Sequence, residues 1–211
     1  MITPSDPEND GSPSARNGHE MVYDPRRGVV VLFGGFDNNG VSAETWEYNG
    51  ASWQQWQKET DAHIPSARTG HSMVYDEVRG TTVLYGGLNL EENEFYDDLW
   101  EFDGAHWVEV VSPNSIDAPK PGARFGHRMV YDSARSLLVL FGGWRQTHEA
   151  SDGGIHCQDI LTCGELTNDT WEYDGNTWRE VATTMTPAKR DSFSMTFDSL
   201  RARTVVYGGV S

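Results

Sequence analysis

Residues 123–143 read ARFGHRMVYDSARSLLVLFGG, and the same phrase occurs three more times in the chain. It reads RNGHEMVYDPRRGVVVLFGG over 16–35, RTGHSMVYDEVRGTTVLYGG over 68–87 and, in a weaker form, RDSFSMTFDSLRARTVVYGG over 190–209. The copies follow one another after 52, 56 and 66 residues, counted between the first glycines of each pair, Gly34, Gly86, Gly142 and Gly208. Self-similarity at this spacing, in sequence rich in strand-forming residues, predicts a repeat architecture of the propeller type.

A second phrase follows the first three copies: TWEYNGASW over 45–53, LWEFDGAHW over 99–107 and TWEYDGNTW over 170–178. Each copy divides into four predicted strands, A to D. Strand A follows the histidine, B is the β-branched run before the double glycine, C carries Trp-Glu, and D begins at the last tryptophan. The Asn-Gly and Asp-Gly pairs between C and D are strong hairpin signals. In the turn between A and B, Ser136 stands where the first two copies have glycine, so we expect that turn to differ slightly.

The double glycine after an apolar run, followed by an aromatic residue before a turn and then by tryptophan, resembles the kelch repeat. The resemblance implies an all-β fold of kelch-type β-propeller blades, each a four-stranded antiparallel sheet. We assign residues 1–15 to a disordered, acidic, Pro- and Ser-rich tail and residues 16–211 to the propeller. The blades are expected at about 16–57, 68–111 and 124–181, with a half-blade at 190–211. About three and a half blades form an incomplete ring, so we expect either a piece of a longer propeller or completion by another chain.

Charge and hydropathy exclude several classes of partner. The 211 residues contain 32 Asp and Glu against 16 Lys and Arg, a formal net charge of −16. Nucleic acids and anionic membranes attract proteins with a positive surface, so neither is expected as a partner. Apolar runs stay well short of the ~18–20 residues that span a bilayer. The N-terminus has no basic and apolar signal-peptide pattern, and the compartment stays open.

In kelch propellers the D-to-A and B-to-C loops open on one face, and partners usually bind there. The resemblance therefore implies a ligand site at Arg16, Phe36, Asp37, Arg68, Asn89, Arg124, Trp144 and Arg145. A ring of arginines, with Arg190 as its fourth member, could hold carboxylates through bidentate hydrogen bonds. The alternative is that each arginine pairs within the blade, with Glu47, Glu101 or Glu172. We interpret His19, His71 and His127 as hydrogen-bonded residues at the starts of strands.

The third B-to-C loop, residues 144–168, is the longest and contains both cysteines of the chain, Cys157 and Cys163. A disulfide between them would restrain the loop and favour an extracellular or periplasmic location. The alternative is a zinc or iron site, for which the candidate ligands are His148, Glu149, Asp152 and His156. These resemble the E-x3-D-x3-H iron motif of nitrile-specifier proteins, a plant kelch group, but read E-x2-D-x3-H. The acidic second loop is either solvated or a calcium site.

The prediction for function is a non-enzymatic binding module whose loop face binds a protein, a peptide or a glycan. One alternative is a metal-dependent or carbohydrate-active enzyme with its site in the 144–168 loop. Another is a structural repeat unit that assembles with copies of itself. No cofactor is expected, and calcium, zinc and iron are the alternatives for the two loops described above. Expected partners exclude nucleic acid and membrane insertion and include a homo-oligomer.

Overall fold

A computed structural model describes residues 11–56, 63–111, 118–147, 164–183 and 186–211. Throughout these residues the regular structure is β-strand, without helix, which confirms the predicted fold class. The first blade contains β1 (Glu20–Asp24), β2 (Val29–Phe33), β3 (Phe36–Asp37), β4 (Gly40–Val41), β5 (Thr45–Tyr48) and β6 (Trp53–Gln55). Its main sheet is antiparallel in the order β1-β2-β5-β6, and β3 and β4 form a small separate hairpin.

The second and third blades repeat this plan. The second contains β7 (Ser72–Asp76), β8 (Thr81–Tyr85), β9 (Leu88–Asn89), β10 (Glu94–Phe95), β11 (Leu99–Phe102) and β12 (Trp107–Glu109). The third contains β13 (Arg124–Phe125), β14 (Arg128–Asp132), β15 (Leu137–Gln146), β16 (Gly164–Tyr173) and β17 (Trp178–Glu180). In the fourth sheet β18 (Ser194–Asp198) pairs with β19 (Arg203–Tyr207). The first strands of the four sheets, β1, β7, β14 and β18, lie side by side at the centre.

The third B-to-C connection differs from the prediction of a loop over 144–168. Strands β15 and β16 extend into the two ends of this region, to Gln146 and from Gly164, and Trp144 pairs with Leu166 and Arg145 with Glu165. The register shifts between Phe141 and Gly143, so the strand passes the double glycine through a bulge. The predicted tail also changes at one point: Ser14 accepts a hydrogen bond from Arg16 and lies in contact with Asp37. Ordered contacts therefore begin before residue 16.

The double glycines join neighbouring blades. Gly34 and Gly35 have φ values of 67° and 96°, a backbone region that L side chains rarely adopt. A Cβ atom on Gly34 would lie 2.6 Å from the carbonyl oxygen of Arg68 in the next blade. The Gly35 amide donates to that same carbonyl at 2.9 Å, and the later copies repeat the bond. Glycine is required here because the backbones of two blades meet.

Aromatic packing between blades forms the core. The Trp107 ring of the second blade lies 5.2 Å from the Phe33 ring of the first and 4.9 Å from that of Phe102. In the third blade Trp178 repeats this contact, 5.2 Å from Tyr85. Trp107 and Trp178 therefore pack on the preceding blade as well as on strand C of their own blade.

The turn between β14 and β15 keeps the backbone conformation of its glycine-containing counterparts. Ser136 has a φ of 56°, close to the 70° of Gly28 and the 74° of Gly80. The expected difference is confined to hydrogen bonding: Gly28 N donates to Asp24 O, whereas Arg135 N donates to Asp132 O. A serine in the left-handed region carries a steric cost of about 1–2 kcal/mol that glycine does not.

Ser136→Gly is therefore expected to raise the free energy of unfolding by about 0.5–1 kcal/mol, since the greater freedom of unfolded glycine offsets part of the relieved strain. Urea unfolding measures the change. Ser133→Gly is the control, because Ser133 is exposed in the same turn and lacks a positive φ. The control should lower stability, and an equal loss in Ser136→Gly would contradict the strain argument.

Candidate functional site on the loop face

The B-to-C and D-to-A loops lie at one end of the blades, which we call the loop face. Its described parts are residues 11–18, 34–44, 63–70, 86–98, 118–127, 142–147, 164–169, 186–192 and 208–211. Backbone hydrogen bonds connect the loops of successive blades near the centre. Gly70 N donates to Gly18 O at 2.9 Å, Gly126 N to Gly70 O at 2.8 Å, and Ser192 N to Gly126 O at 2.9 Å. The four blades thus present a continuous scaffold for the outer hairpins.

The arginines of the predicted ring, Arg16, Arg68 and Arg124, each bind groups of their own blade. In the third blade Arg124 donates from Nη1 to Gly142 O at 2.9 Å and forms two bonds with the Asp169 carboxylate, at 3.0 and 2.7 Å. Arg68 repeats the pattern with Gly86 O and Asp98. Both arginines are fully buried, and Arg16 pairs with Glu44 at 2.7 Å. The guanidinium groups of Arg16, Arg68 and Arg124 are therefore occupied within the blades, and a role for them in ligand binding stays a prediction.

The partners of these arginines are the acids two residues before the strand C tryptophans: Glu44, Asp98 and Asp169. Glu47, Glu101 and Glu172, proposed as partners from the sequence, instead lie against the turn arginines Arg27, Arg79 and Arg135. Arg190 has no acidic partner within the described residues, and its Nη1 donates to Gly208 O at 2.7 Å. Burial raises the pKa of Asp169, but hydrogen bonds and charge from Arg124 outweigh it and lower that pKa to about 2.

The strand-start histidines are buried without the hydrogen bonds expected for them. Within the described residues, neither ring nitrogen of His71 or His127 has a hydrogen-bond partner of normal geometry. The His127 ring instead packs edge-on against Tyr85 at 5.7 Å, and His71 against Phe33 at 5.5 Å. Burial, together with the charges of Arg124 and Arg68, places both histidine pKa values well below 6.5. These residues are neutral core components.

Two further predicted site residues shape the hairpins of the loop face. The Asn89 side chain is buried, and its carbonyl oxygen accepts the amides of Glu91 and Glu92 at 3.0 and 3.3 Å. Asp37 accepts the Asn39 amide at 2.7 Å in the equivalent turn of the first blade. Both residues therefore define turns, as Asx side chains commonly do, and act on a ligand only through the loops they position.

Exposed apolar side chains stand on these same hairpins. Phe36, a predicted site residue, is 39% exposed, and Leu90 is 55% exposed. The hairpins of the first and second blades touch, because a side chain on Gly40 would collide with the Glu91 carboxylate. Sequence analysis missed Leu90, although an apolar residue inside the acidic stretch LNLEENEF was a usable signal. Phe36 and Leu90, beside the exposed carboxylates of Glu91 and Glu92, form what we call the apolar–acidic rim.

Trp144 and Arg145 begin the third hairpin. Trp144 is half-buried, and its indole nitrogen has no hydrogen-bond partner within the described residues. Arg145 donates to Glu165 at 2.9 Å, and Lys189 donates to the other oxygen of the same carboxylate at 3.2 Å. Hydrogen bonds from Lys189 and Arg145 lower the pKa of Glu165. The predicted candidates beyond this point, His148, Glu149, Asp152, His156, Cys157 and Cys163, lie outside the described residues.

Metal-ligand and membrane features can be assessed for the described residues. In those residues no group of three or more His, Cys, Asp or Glu side chains could hold a metal ion. Nor does the described part of the chain contain a helix long and apolar enough to cross a membrane.

Comparison with known proteins agrees with this geometry. The KLHDC2/KLHL20/DRC7 Kelch-repeats domain matches residues 4–209. Mei4-dependent protein 6 of Schizosaccharomyces pombe is 33% identical over 138 residues, 62% of this chain and 19% of its own length. Human Host cell factor 2 is 29% identical over 145 residues, 68% of this chain and 17% of its own length. For tRNA wybutosine-synthesizing protein 4 of Emericella nidulans the identity is 28% over 219 residues, 93% of this chain and 18% of that protein.

The chain thus spans less than a fifth of each of these three relatives. Their similarity covers the repeats, and the family match extends across nearly all of the sequence. The chain belongs to the kelch-repeat family of β-propellers.

Proposed function

We propose that this chain is a protein-interaction module that binds a peptide segment of its partner on the loop face. The observation that carries the proposal is the apolar–acidic rim, where exposed Phe36 and Leu90 stand on touching hairpins. Aromatic and aliphatic side chains on a fixed scaffold supply most of the energy in protein interfaces. The kelch-repeat relatives, Host cell factor 2 among them, support an interaction role at the same coarse level.

The charges of the rim define the partner further. Glu91, Glu92 and Glu94 are exposed, and the chain as a whole carries a formal net charge of −16. The ring arginines, which would have attracted acidic peptides, are neutralised by Glu44, Asp98 and Asp169. A partner segment that combines apolar with basic side chains is therefore favoured, because opposite charges speed association and exclude acidic competitors.

Selection from a phage-displayed random peptide library on the whole chain tests this proposal. We expect the enriched peptides to combine apolar residues with Lys or Arg. The double variant Phe36→Ser, Leu90→Ser should then bind those peptides at least about tenfold more weakly, since each lost apolar anchor costs on the order of 1 kcal/mol or more. Isothermal titration calorimetry gives the affinities.

The matched control is Val78→Ser, Leu200→Ser. Both of these apolar residues are more than half exposed, but they stand in A-to-B turns at the opposite end of the blades. This control should bind as the unmodified chain does. Equal loss in both double variants, or enrichment of acidic peptides, would rule out the rim as the binding site.

A further inference from the structure

A groove lies open between the second and third blades. The corresponding groove between the first and second blades is filled by the Trp56 side chain. The open groove encloses about 760 Å³ and is lined by Leu99, Val110, Val111, Tyr173 and Trp178, among others. This volume lies within the ~300–1,000 Å³ of typical ligand pockets. The groove is separate from the apolar–acidic rim. It runs along the side of the blades, from the D-to-A connection that follows the second blade to the C-to-D hairpin of the third blade.

Internal repetition explains why this groove is open. Trp56 N donates to Thr45 O at 2.9 Å, and Val110 N donates to Leu99 O at 2.8 Å, so Trp56 and Val110 occupy equivalent positions. The Trp56 ring packs edge-on against Phe102 of the following blade at 5.7 Å. Valine is too short to make that contact, so no described residue fills, between the second and third blades, the space that an indole occupies between the first two.

Two polar differences accompany the missing indole. The residue equivalent to Phe102 is Tyr173, whose buried hydroxyl has no hydrogen-bond partner within the described residues. Because this hydroxyl oxygen is inaccessible, the groove meets the ring of Tyr173 and not its hydroxyl group. Trp107 Nε1 donates to Thr45 Oγ1 at 3.0 Å, and Leu99 stands at the position equivalent to Thr45 in the second blade. The open groove thus lacks both the indole and the hydroxyl acceptor of its filled counterpart.

The charged residues of the groove are mainly acidic. Asp97, Asp98 and Glu109 line it together with a single cation, Lys120, which is bonded to Asp97 at 2.5 Å. Asp98 is neutralised by Arg68, and Glu109 remains at the edge with its side chain about one-third exposed. An occupant with basic residues on either side of its apolar group would complement this edge.

We propose that this groove binds an extended segment of a protein partner by taking up a tryptophan side chain flanked by basic residues. The indole occupies the place that Trp56 fills between the first two blades and packs on Tyr173 and Val110. Because Trp56 is part of this chain, the filled groove is the template for the occupied state of the open one.

The probe is the capped peptide GKSWSKG, compared with GKSASKG, titrated into the whole chain and followed by NMR. We expect the tryptophan peptide to shift the signals of Leu99, Val110 and Ala118 and to bind at least tenfold more tightly than the alanine peptide. Absence of shifts at these residues in the unmodified chain would overturn the proposal.

Three variants sharpen the test. Val110→Trp supplies the indole from the chain itself and should weaken peptide binding at least tenfold, whereas Val108→Trp, exposed on the same strand, should change it less than about twofold. Tyr173→Phe keeps the ring on which the indole packs and should change binding less than about twofold, since Phe102 in the second blade shows that phenylalanine fits this position. Unchanged affinity in Val110→Trp would contradict the proposed pose.

Residues 112–117, which connect the described Val111 and Ala118 at the edge of the groove, are the competing occupant. Replacing them with a Gly-Ser segment of equal length separates the two cases. Affinity for GKSWSKG within twofold of the unmodified chain supports a partner segment. Binding that is at least tenfold tighter only in the replaced chain would assign the groove to the chain's own connection and overturn the proposal.

Discussion

Replacing Arg124 with methionine is expected to lower the free energy of unfolding by about 3–5 kcal/mol. Methionine keeps most of the side-chain bulk but leaves the Asp169 carboxylate without its ion pair and the Gly142 carbonyl without its donor. The Asp169 side chain is only 10% exposed, so water replaces little of what is lost. Urea unfolding at neutral pH, with a check that the slope with denaturant is unchanged, gives the difference.

The fourth copy provides a matched control. Arg190 occupies the same position, bonds Gly208 O and Ala188 O, and has no acidic partner within the described residues. Arg190→Met should therefore cost only about 1 kcal/mol, the net worth of ordinary hydrogen bonds at a partly exposed site. Equal losses in the two variants would show that the ion pair with Asp169 adds no stability beyond the backbone hydrogen bonds that both arginines make.

The pH dependence of stability in acid provides a second test of the ion pair between Arg124 and Asp169. The pKa of Asp169 is lowered to about 2 in the folded chain from an ordinary value of 3.8. The resulting stability is present above pH 3.8 and is lost as the pH falls through about 2. Arg124→Met removes this contribution, so the variant should lose less stability than the unmodified chain over that acid range.

The blades were predictable because each strand, turn and double glycine recurs in the sequence and each has a local physical cause. The alternation of side chains between the two faces of strand C could also have predicted which acid pairs with each ring arginine. Residues two apart share a face of a strand, so Asp98 and Trp100 lie together, and the Trp100 indole nitrogen donates to Asp98 at 2.7 Å. Glu101 points to the opposite face, toward Arg79. The glutamate next to each tryptophan was predicted as the partner because it is adjacent in sequence, but adjacent residues of a strand lie on opposite faces.

The candidate sites depended on differences between copies that a consensus view conceals. Phe36, Leu88 and Trp144 all follow a double glycine, yet Phe36 is 39% exposed and Leu88 only 3%. Exposure at that position depends on how each hairpin folds over its neighbour, which is a tertiary effect. The groove depends likewise on the change from Trp56 to Val110, whose significance appears only when the two grooves are compared in space.

The buried histidines lead to the second large effect, a loss of stability between pH 7.5 and pH 5.5. Burial is the main reason that the pKa values of His71 and His127 lie well below 6.5 in the folded chain, and the nearby arginines add to it. The unfolded chain takes up protons near pH 6.5 while the folded chain does not, so stability is full above that pH and falls below it. Each histidine contributes a loss of about 1.4 kcal/mol over this window, or about 2.8 kcal/mol for the pair.

The chain itself supplies the variant that tests this effect. Phe193 occupies the histidine position of the fourth copy and is 2% exposed, so an aromatic ring without titratable nitrogens fits the site. His71→Phe, His127→Phe should therefore fold, remove most of the pH dependence and leave the smaller contribution of His19, whose pKa is also lowered, chiefly by burial. Replacing the exposed His106 with glutamine should leave the slope unchanged.

Between pH 7.5 and pH 5.5, the effect of the histidines on stability can be distinguished from that of the carboxylates. Burial raises the pKa values of Glu20 and Glu101 above 4.5, so protonation of these groups in the folded chain favours folding as the pH falls, opposite in sign to the histidine effect. The pKa values of Asp24 and Asp169 are lowered from 3.8, so their contribution to stability is lost only in the acid range below that pH, outside this window. A fall in stability from pH 7.5 to 5.5 that persists in the double phenylalanine variant would therefore refute the assignment to His71 and His127.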